Sequence, residues 1–341
     1  MITDLITDLL NTFFNPEKRV FVGYLLSATL LALSWLMWIE RQGLQASLKK
    51  IFSLSIWWST SAKADYKIFF INKMVLILLS PLLITQLTVA TLIFYQWHEW
   101  FPSRPQWFVS WPDWLIAVMF TSSYFLLDDF MRFYVHRLLH QWSLLWAFHK
   151  VHHTAQTLTP FTVFRTHPVE LVIFSLRSIF VQALAIGSFV FFVGEKVDLI
   201  TVLGANAIIF VFNLLGSNIR HSHIAIHYWK PLEKIFISPA QHQIHHSLKA
   251  CHHNKNYGVV LAVWDYFTGT HHHSEKNQLL VFGVNEPSVE PDQLHSLWGM
   301  YGVPVSAFFV SLNNIVKKML DFEGKREKIP RFSFVFSDSN E

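Results

Sequence analysis

Five stretches of this chain are long and apolar enough to cross, or nearly cross, a bilayer: roughly 20–39, 69–95, 112–131, 171–194 and 197–216. In hydrocarbon every backbone N–H and C=O must be satisfied within its own segment, so a spanning stretch becomes a helix of about 20 mostly apolar residues. That restriction fixes the expected fold class as all-α, an integral membrane helical bundle. Composition agrees, because 52% of residues are hydrophobic and 15% charged, whereas a soluble domain carries about 25% charged residues. The last two runs are separated only by Glu195 and Lys196, which allows either a tight transmembrane hairpin or one shallow re-entrant pair. Residues 1–18 contain Asp4 and Asp8 and no basic leader. They are expected to form an interfacial amphipathic helix and not a cleaved signal peptide.

Lys and Arg are retained on the cytoplasmic side of a membrane. The loop at 40–68 carries Arg41, Lys49, Lys50, Lys63 and Lys67, against Arg104 alone in 96–111 and Lys196 alone at the hairpin tip. The first loop therefore reads as cytoplasmic, and threading five spans from it places 132–170 and 217–341 on the same side. The net charge of +4 is spread beside apolar runs without a cluster, so nucleic acid is not an expected partner. A single cysteine, Cys251, excludes an internal disulfide and a thiolate-held iron–sulfur cluster, which needs about four sulfurs. The polar stretch 320–341 reads as a mobile tail.

Nineteen histidines are present, and many fall in repeated cassettes. LWAFHKVHH holds His149, His152 and His153; SPAQHQIHHS holds His242, His245 and His246; HRLLH holds His136 and His140. Positions three and four apart share a helix face, so each cassette is expected to aim its imidazoles at one point. Neutral imidazole ligates zinc, iron, copper and nickel. Eight such ligands are too many for one ion and suit two ions with about four nitrogens each. An isolated histidine such as His98 or His295 reads instead as a packed or surface residue. NIRHSHIAIH offers His221, His223 and His227, of which one or two are expected to complete the site. His252 and His253 suit an outer position, His271–His273 a solvated loop, and His167 either substrate contact or the start of the next helix. Asp128 and Asp129, one to two turns before His136, would cost about 2.5–3.5 kcal/mol each at the bilayer centre and less at its edge. Orienting a ligand imidazole through its second nitrogen would offset that cost.

The order DDFMRFYVHRLLH, WAFHKVHH, RTHPVE, RHSH, SPAQHQIHH, NYG and WDYFTGT resembles the membrane-bound fatty acid hydroxylase superfamily, over about 125–270. The resemblance implies a cytoplasmic helical cap holding two iron ions, a non-haem di-iron centre that uses O2 and two electrons to hydroxylate or desaturate a lipid. Carried over by motif, His136 and His140 form the first box, His149, His152 and His153 the second, and His242, His245 and His246 the third. His221 falls at the family's lone histidine before Ser or Thr, and His223 stands where Asn is common; both join the expected metal set. Asp129 matches the acid seven residues ahead of the first box, and with His167 is expected to serve catalysis. Phe-Gly-Thr is here Phe267, Thr268, Gly269 and Thr270, a departure confined to a turn. The division that follows is 1–124 for an interfacial helix and spans, 125–275 for the histidine-box domain with a membrane hairpin, and 276–341 for a cytoplasmic helix and polar tail.

Attack on an unpolarised C–H bond needs a redox metal and O2. The chain has neither a phosphate-cradling glycine fingerprint nor an iron–sulfur site, so an external electron donor is expected: a ferredoxin, a cytochrome or a reductase. The rival reading is a histidine-rich membrane metal transporter, which would need ionisable ligands inside the spans. A zinc hydrolase would want a carboxylate beside the metal, for which Glu170 and Glu233 are the nearby candidates.

Overall fold

A computed structural model describes residues 2–79, 84–103, 107, 108, 110–194, 196–276, 278–285, 290 and 292–326. The apolar run at 112–131 continues well beyond its expected end. Helix seven of the chain, Asp113–Gln141, starts at Pro112 and carries both acids and the first histidine box in one unbroken element. In chain order the helices are α1 (Ile2–Phe14), α2 (Val22–Ser34, prolonged by a wider turn to Ile39), α3 (Leu44–Ile51), α4 (Leu54–Trp57), α5 (Thr60–Leu79), α6 (Gln86–Trp100), α7 (Asp113–Gln141), α8 (Ser143–His153) and α9 (Pro168–Val193). A two-stranded antiparallel hairpin, Thr201–Val202 with Ala205–Asn206, leads into α10 (Ala207–Leu214). The remaining helices are α11 (Lys230–Glu233), α12 (Pro239–His245), α13 (Val263–Thr268) and α14 (Val303–Arg326). The expected all-α membrane bundle is what the chain forms.

Among the described residues four helices are long and apolar enough to cross a membrane: Val22–Ile39, Asp113–Gln141, Pro168–Val193 and Trp298–Leu320. Leu26, Leu30, Leu87, Leu92 and Phe180 face outward at 48–76% exposure, as lipid-facing side chains do. Two expected spans are corrected. The run 69–95 is divided between α5 and α6, with Thr85 capping the second helix by accepting from Thr88 N at 3.1 Å; the interval at 80–83 contains Pro81 and lies outside the described residues. The run 197–216 bends through the hairpin, where Gly204 has φ +84°. Its eight-residue α10 rises only about 12 Å, too short to span. The fourth candidate, Trp298–Leu320, was expected as a cytoplasmic helix; its polar Ser and Asn residues hid an outward face carrying Phe309 and Val310. The polar tail expected beyond 320 lies outside the described residues from 327 onward.

Close helix contacts position the site. A Cβ on Gly187 of α9 would sit 2.8 Å from the Ala90 carbonyl of α6, so glycine lets the two backbones approach. Trp97 of α6 donates to Ser188 of α9 at 3.0 Å. The end of the charged loop and the start of α5 pack on the segment that follows α8. Ser59 pairs with Thr157 at 2.7 Å, and Asp65 of α5 binds Arg165 at 2.9 Å. Helix α14 lies against α8, with Phe308 and Phe148 rings 5.4 Å apart.

Candidate metal centre

Helix α7 ends at Gln141, and the chain turns at Trp142 into α8, so the first two histidine boxes face each other across a tight corner. The third box rides on α12, whose start is fixed by a reciprocal cap. Ser238 Oγ accepts from Gln241 N at 3.1 Å and Gln241 Oε1 accepts from Ser238 N at 2.9 Å, with Pro239 at the first helical position. Glu233, fully buried, accepts from Ser238 Oγ at 2.8 Å and also from Ser274, tying α12 to the loop that follows α13.

The imidazoles gather in two groups. His136, His140, His149, His153 and His245 form one, His152, His221, His242 and His246 the other, and within each group the candidate ligand atoms lie within 4.8 Å of one another. The groups adjoin: the rings of His153 and His246 are 4.6 Å apart, and those of His152 and His153 5.6 Å. His136 and His140 stay together in the first group, but the second and third cassettes are each split, which corrects the expectation that each aims at one point. Successive helical residues differ by about 100° in direction, so the i,i+4 pair goes one way and the neighbouring ring the other. His149 and His153 enter the first group and His152 the second; His242 and His246 enter the second and His245 the first.

Tautomers are set from outside. Nδ1 of His136 donates to the Tyr257 carbonyl at 2.8 Å, Nδ1 of His149 to Glu170 at 2.9 Å, and Nδ1 of His245 to the Lys255 carbonyl at 2.8 Å. Each ring then offers an Nε2 lone pair to the common centre, and those three nitrogens have no hydrogen-bond partner; nor do Nε2 of His140 and His153. In the second group His221 Nε2 lies 3.2 Å from His152 Nε2 and 3.0 Å from His242 Nε2, while both nitrogens of His246 are unpartnered. A metal–nitrogen bond of about 2.0–2.1 Å places neighbouring ligands about 2.9–3.4 Å apart, so this spacing fits a cation between the rings. Without one, each unpaired buried nitrogen would cost roughly 1–3 kcal/mol. Burial, reinforced by neighbouring imidazoles, holds His152, His153, His221, His242 and His246 well below the ordinary histidine range, and burial brings His245 down to about 3. All are thus in the neutral form that ligates.

Other expected site residues are placed elsewhere. His223 does not join either group; its Nε2 donates to the Lys50 carbonyl at 2.7 Å, because the chain turns outward after the short helical turn Ser217–His221. His167 caps α9, accepting from Val169 N at 3.2 Å and donating to the Tyr301 carbonyl at 3.3 Å, the helix-start role and not a contact with the groups. Asp129 orients no imidazole. Its carboxylate takes Val260 N at 3.0 Å, Leu261 N at 3.1 Å and Trp264 Nε1 at 2.9 Å, which occupies three of its about four lone-pair sites and fixes the turn leading away from Tyr257. Asp128 is held by Arg177 at 2.7 Å and Arg132 at 2.8 Å. The triple histidine is not a free loop either: His271 donates to the Glu233 carbonyl at 2.9 Å and His273 lies 3.1 Å from its carboxylate.

Sequence reasoning missed the residues that orient the ligands. Glu170 was weighed only as a hydrolase carboxylate, yet it faces His149. Asp265 accepts from Tyr257 N at 2.9 Å and Gly258 N at 2.6 Å, shaping the turn whose carbonyl holds His136. A Cβ on Gly258 would lie 2.6 Å from the Leu261 carbonyl, so the glycine of Asn-Tyr-Gly is a packing requirement. Glu170→Gln is expected to weaken metal binding about 10–100-fold with little change in unfolding temperature; metal titration of the stripped protein checks it.

An apolar cavity of about 900 Å³ opens beside the segments that lead to His221 and His242. Leu31, Trp35, Phe212, Ile219 and Pro239 are among the residues that line it. Ile219 lies two residues before His221 and Pro239 three before His242, so the cavity reaches the segments that carry the second group.

Fold and site together define an all-α integral membrane protein with a buried, all-histidine centre able to hold metal ions. Residues 121–270 match the fatty acid hydroxylase family model, and the resemblance to that superfamily carried by the histidine motifs holds. The chain is 30% identical to alkylglycerol monooxygenase from Homo sapiens over 52% of its length and 37% of the relative. It is 27% identical to the ornithine lipid hydroxylase OlsE of Rhizobium tropici over 46% of this chain and 43% of that one. The very-long-chain aldehyde decarbonylase GL1-6 of Oryza sativa is 27% identical over 49% and 25%. The chain thus spans under half the length of these relatives. No solved structure matches.

Proposed function

We propose that this protein is a non-haem di-iron lipid oxidoreductase that uses O2 and two external electrons to hydroxylate or desaturate a hydrocarbon chain. The observation that supports it most directly is the pair of adjoining histidine groups with unpartnered nitrogens converging from α7, α8, α12 and the turn at His221. Two iron ions held there would supply reductive O2 activation, the chemistry an unpolarised C–H bond demands. His136, His140, His149, His153 and His245 would hold one ion, and His152, His221, His242 and His246 the other. Glu170 and the carbonyls of Tyr257 and Lys255 orient the rings, Asp129 positions the turn that carries Tyr257, and the apolar cavity receives the chain and excludes water. Two of the matched relatives are named for oxygenating lipids and one for decarbonylating an aldehyde, so the ligand set serves more than one outcome. Electrons come from a partner such as a ferredoxin, cytochrome or reductase.

Protein loaded with iron is expected to contain two ions per chain. It should convert membrane lipids to products one oxygen heavier or two hydrogens lighter only with a donor and O2 present. Turnover without a donor, or full activity with zinc alone, would overturn the reading.

The centre is proposed to face the cytoplasm. Its support is that the lysine-rich loop 40–68 packs directly on the histidine segments through the Asp65–Arg165 and Lys50–His223 contacts. Cys251 is exposed and six residues after His245, so a membrane-impermeant maleimide is expected to label it only from the cytoplasmic side. Labelling from outside intact cells would reverse the topology.

A further inference from the structure

A second cavity, about 760 Å³, lies between α7 and α9 and is bordered by Pro16–Lys18 and the hairpin. Its lining changes character along the helices. Lys18, Arg132 and Ser178 stand at one end; Phe120, Val190 and Leu199 at the other. From Phe120 to Arg132, α7 rises about 18 Å, slightly more than half of a hydrocarbon core about 30 Å thick. Helix α9 runs antiparallel beside it, with Arg177 at Asp128 and the Phe189 ring 5.0 Å from that of Phe120.

The charged end carries more cations than its acids can satisfy. Both Asp128 oxygens are engaged, Oδ1 by Arg177 at 2.7 Å and Oδ2 by Arg132 at 2.8 Å. Lys18 is exposed and pairs with no carboxylate among the described residues. The only other acid lining the cavity is Glu17, so Lys18 and Arg132, with Arg177 bound to Asp128 behind them, outnumber Glu17 and Asp128. A cationic rim above an apolar slot about one leaflet deep matches an amphiphile with a negatively charged head.

We propose that this cavity is a lipid site separate from the apolar cavity, and that it takes a phosphate-bearing amphiphile. The phosphate sits between Lys18 and Arg132, and the hydrocarbon chain runs along α7 and α9 toward Phe120. Arg132 precedes His136 by one turn, so a chain extending toward Phe120 leads away from the histidines. The bound molecule is therefore not the one oxidised: it fastens the segment before α2 onto α7 beneath the first histidine box.

The test uses the full chain, purified in uncharged detergent and delipidated. Lysophosphatidic acid, a monoacylglycerol of the same chain length, and glycerol 3-phosphate are titrated by native mass spectrometry. Lysophosphatidic acid is expected to bind at least about tenfold more tightly than the monoacylglycerol, with glycerol 3-phosphate weaker than either. Arg132→Gln and Lys18→Gln are each expected to abolish that preference. Should Arg132→Gln misfold because Asp128 loses a partner, Lys18→Gln alone decides, since Lys18 has no internal ion pair to lose. Equal affinity for the two lipids, a preference that survives Lys18→Gln, or tail-free glycerol 3-phosphate binding as tightly as the lipid would each overturn the proposal. Iron content and turnover of Lys18→Gln are expected to stay at wild-type values, which separates this outcome from a failure of the oxidoreductase reading.

Discussion

His245→Ala is expected to empty the five-histidine group of its ion while leaving the four-histidine group loaded, and His242→Ala to do the reverse. The partition follows from the split cassettes: the two residues lie three apart on α12 yet belong to different groups. Each contributes a nitrogen with a fixed or unpartnered environment, so removing it withdraws a direct bond and not merely an outer contact. Loss of an outer partner costs about 10–100-fold in metal affinity, and a ligand deletion is expected to exceed that, reducing lipid turnover by at least about a hundredfold. Helix α12 keeps its Ser238–Gln241 cap in both variants, so helical content and detergent-phase behaviour should match the wild type. Metal analysis per chain, read beside circular dichroism, checks the prediction. Two ions retained in either variant would end the two-group assignment.

The largest stability loss is expected from Arg165→Met. This side chain is fully buried, and each of its nitrogens is engaged. Nε donates to Val151 O at 3.1 Å and to Thr154 Oγ1 at 2.9 Å; Nη1 donates to Ser61 O at 3.2 Å and to Asp65 at 2.9 Å; Nη2 donates to His295 Nδ1 at 2.6 Å. Burial, together with the guanidinium, lowers His295 to about 4, so its ring is neutral and can accept. Replacing the cation leaves Asp65 buried without its counter-charge, a change that costs about 3–5 kcal/mol. Val151 and Thr154 flank His152 and His153, so iron retention should fall as well. Thermal unfolding in detergent measures the loss. The double variant Asp65→Leu, Arg165→Met should recover part of it, because a buried pair replaced by apolar groups is often neutral. An Arg165→Met protein as stable as wild type would show that the network carries no net stabilisation.

What could be read from the sequence was the part written in local periodicity. Apolar runs near 20 residues mark α2, α7 and α9, and histidines three and four apart mark the ligand-bearing helices. The cassettes also offer more nitrogens than one ion can bind. Their division between two groups needed the helical rotation between adjacent residues, which the spacing contains but which a shared-face argument overlooks. Long-range partners were not legible. Nothing local to Glu170 says that it meets His149 across 21 positions, or that Asp129 reaches Val260 across 131. His223 shows the limit from the other side: its position beside His221 suggests a ligand, and only the exit direction of the backbone denies it. The helix at 298–320 reads as cytoplasmic and not as a candidate span because scattered Ser and Asn lower its hydropathy while an apolar face persists.

The supports of the second histidine box come from far outside the stretch that the family model covers. Asp65 belongs to α5, His295 precedes the last long helix, and Tyr301 both receives His167 and donates to Asn72 at 3.0 Å. The inherited module and the physical folding unit are therefore different objects. A polypeptide trimmed to 121–270 would retain each of the nine converging imidazoles and lose the scaffolding that clamps α8 in place, so recombining this module with foreign flanks should succeed only when equivalents of α5 and α14 travel with it.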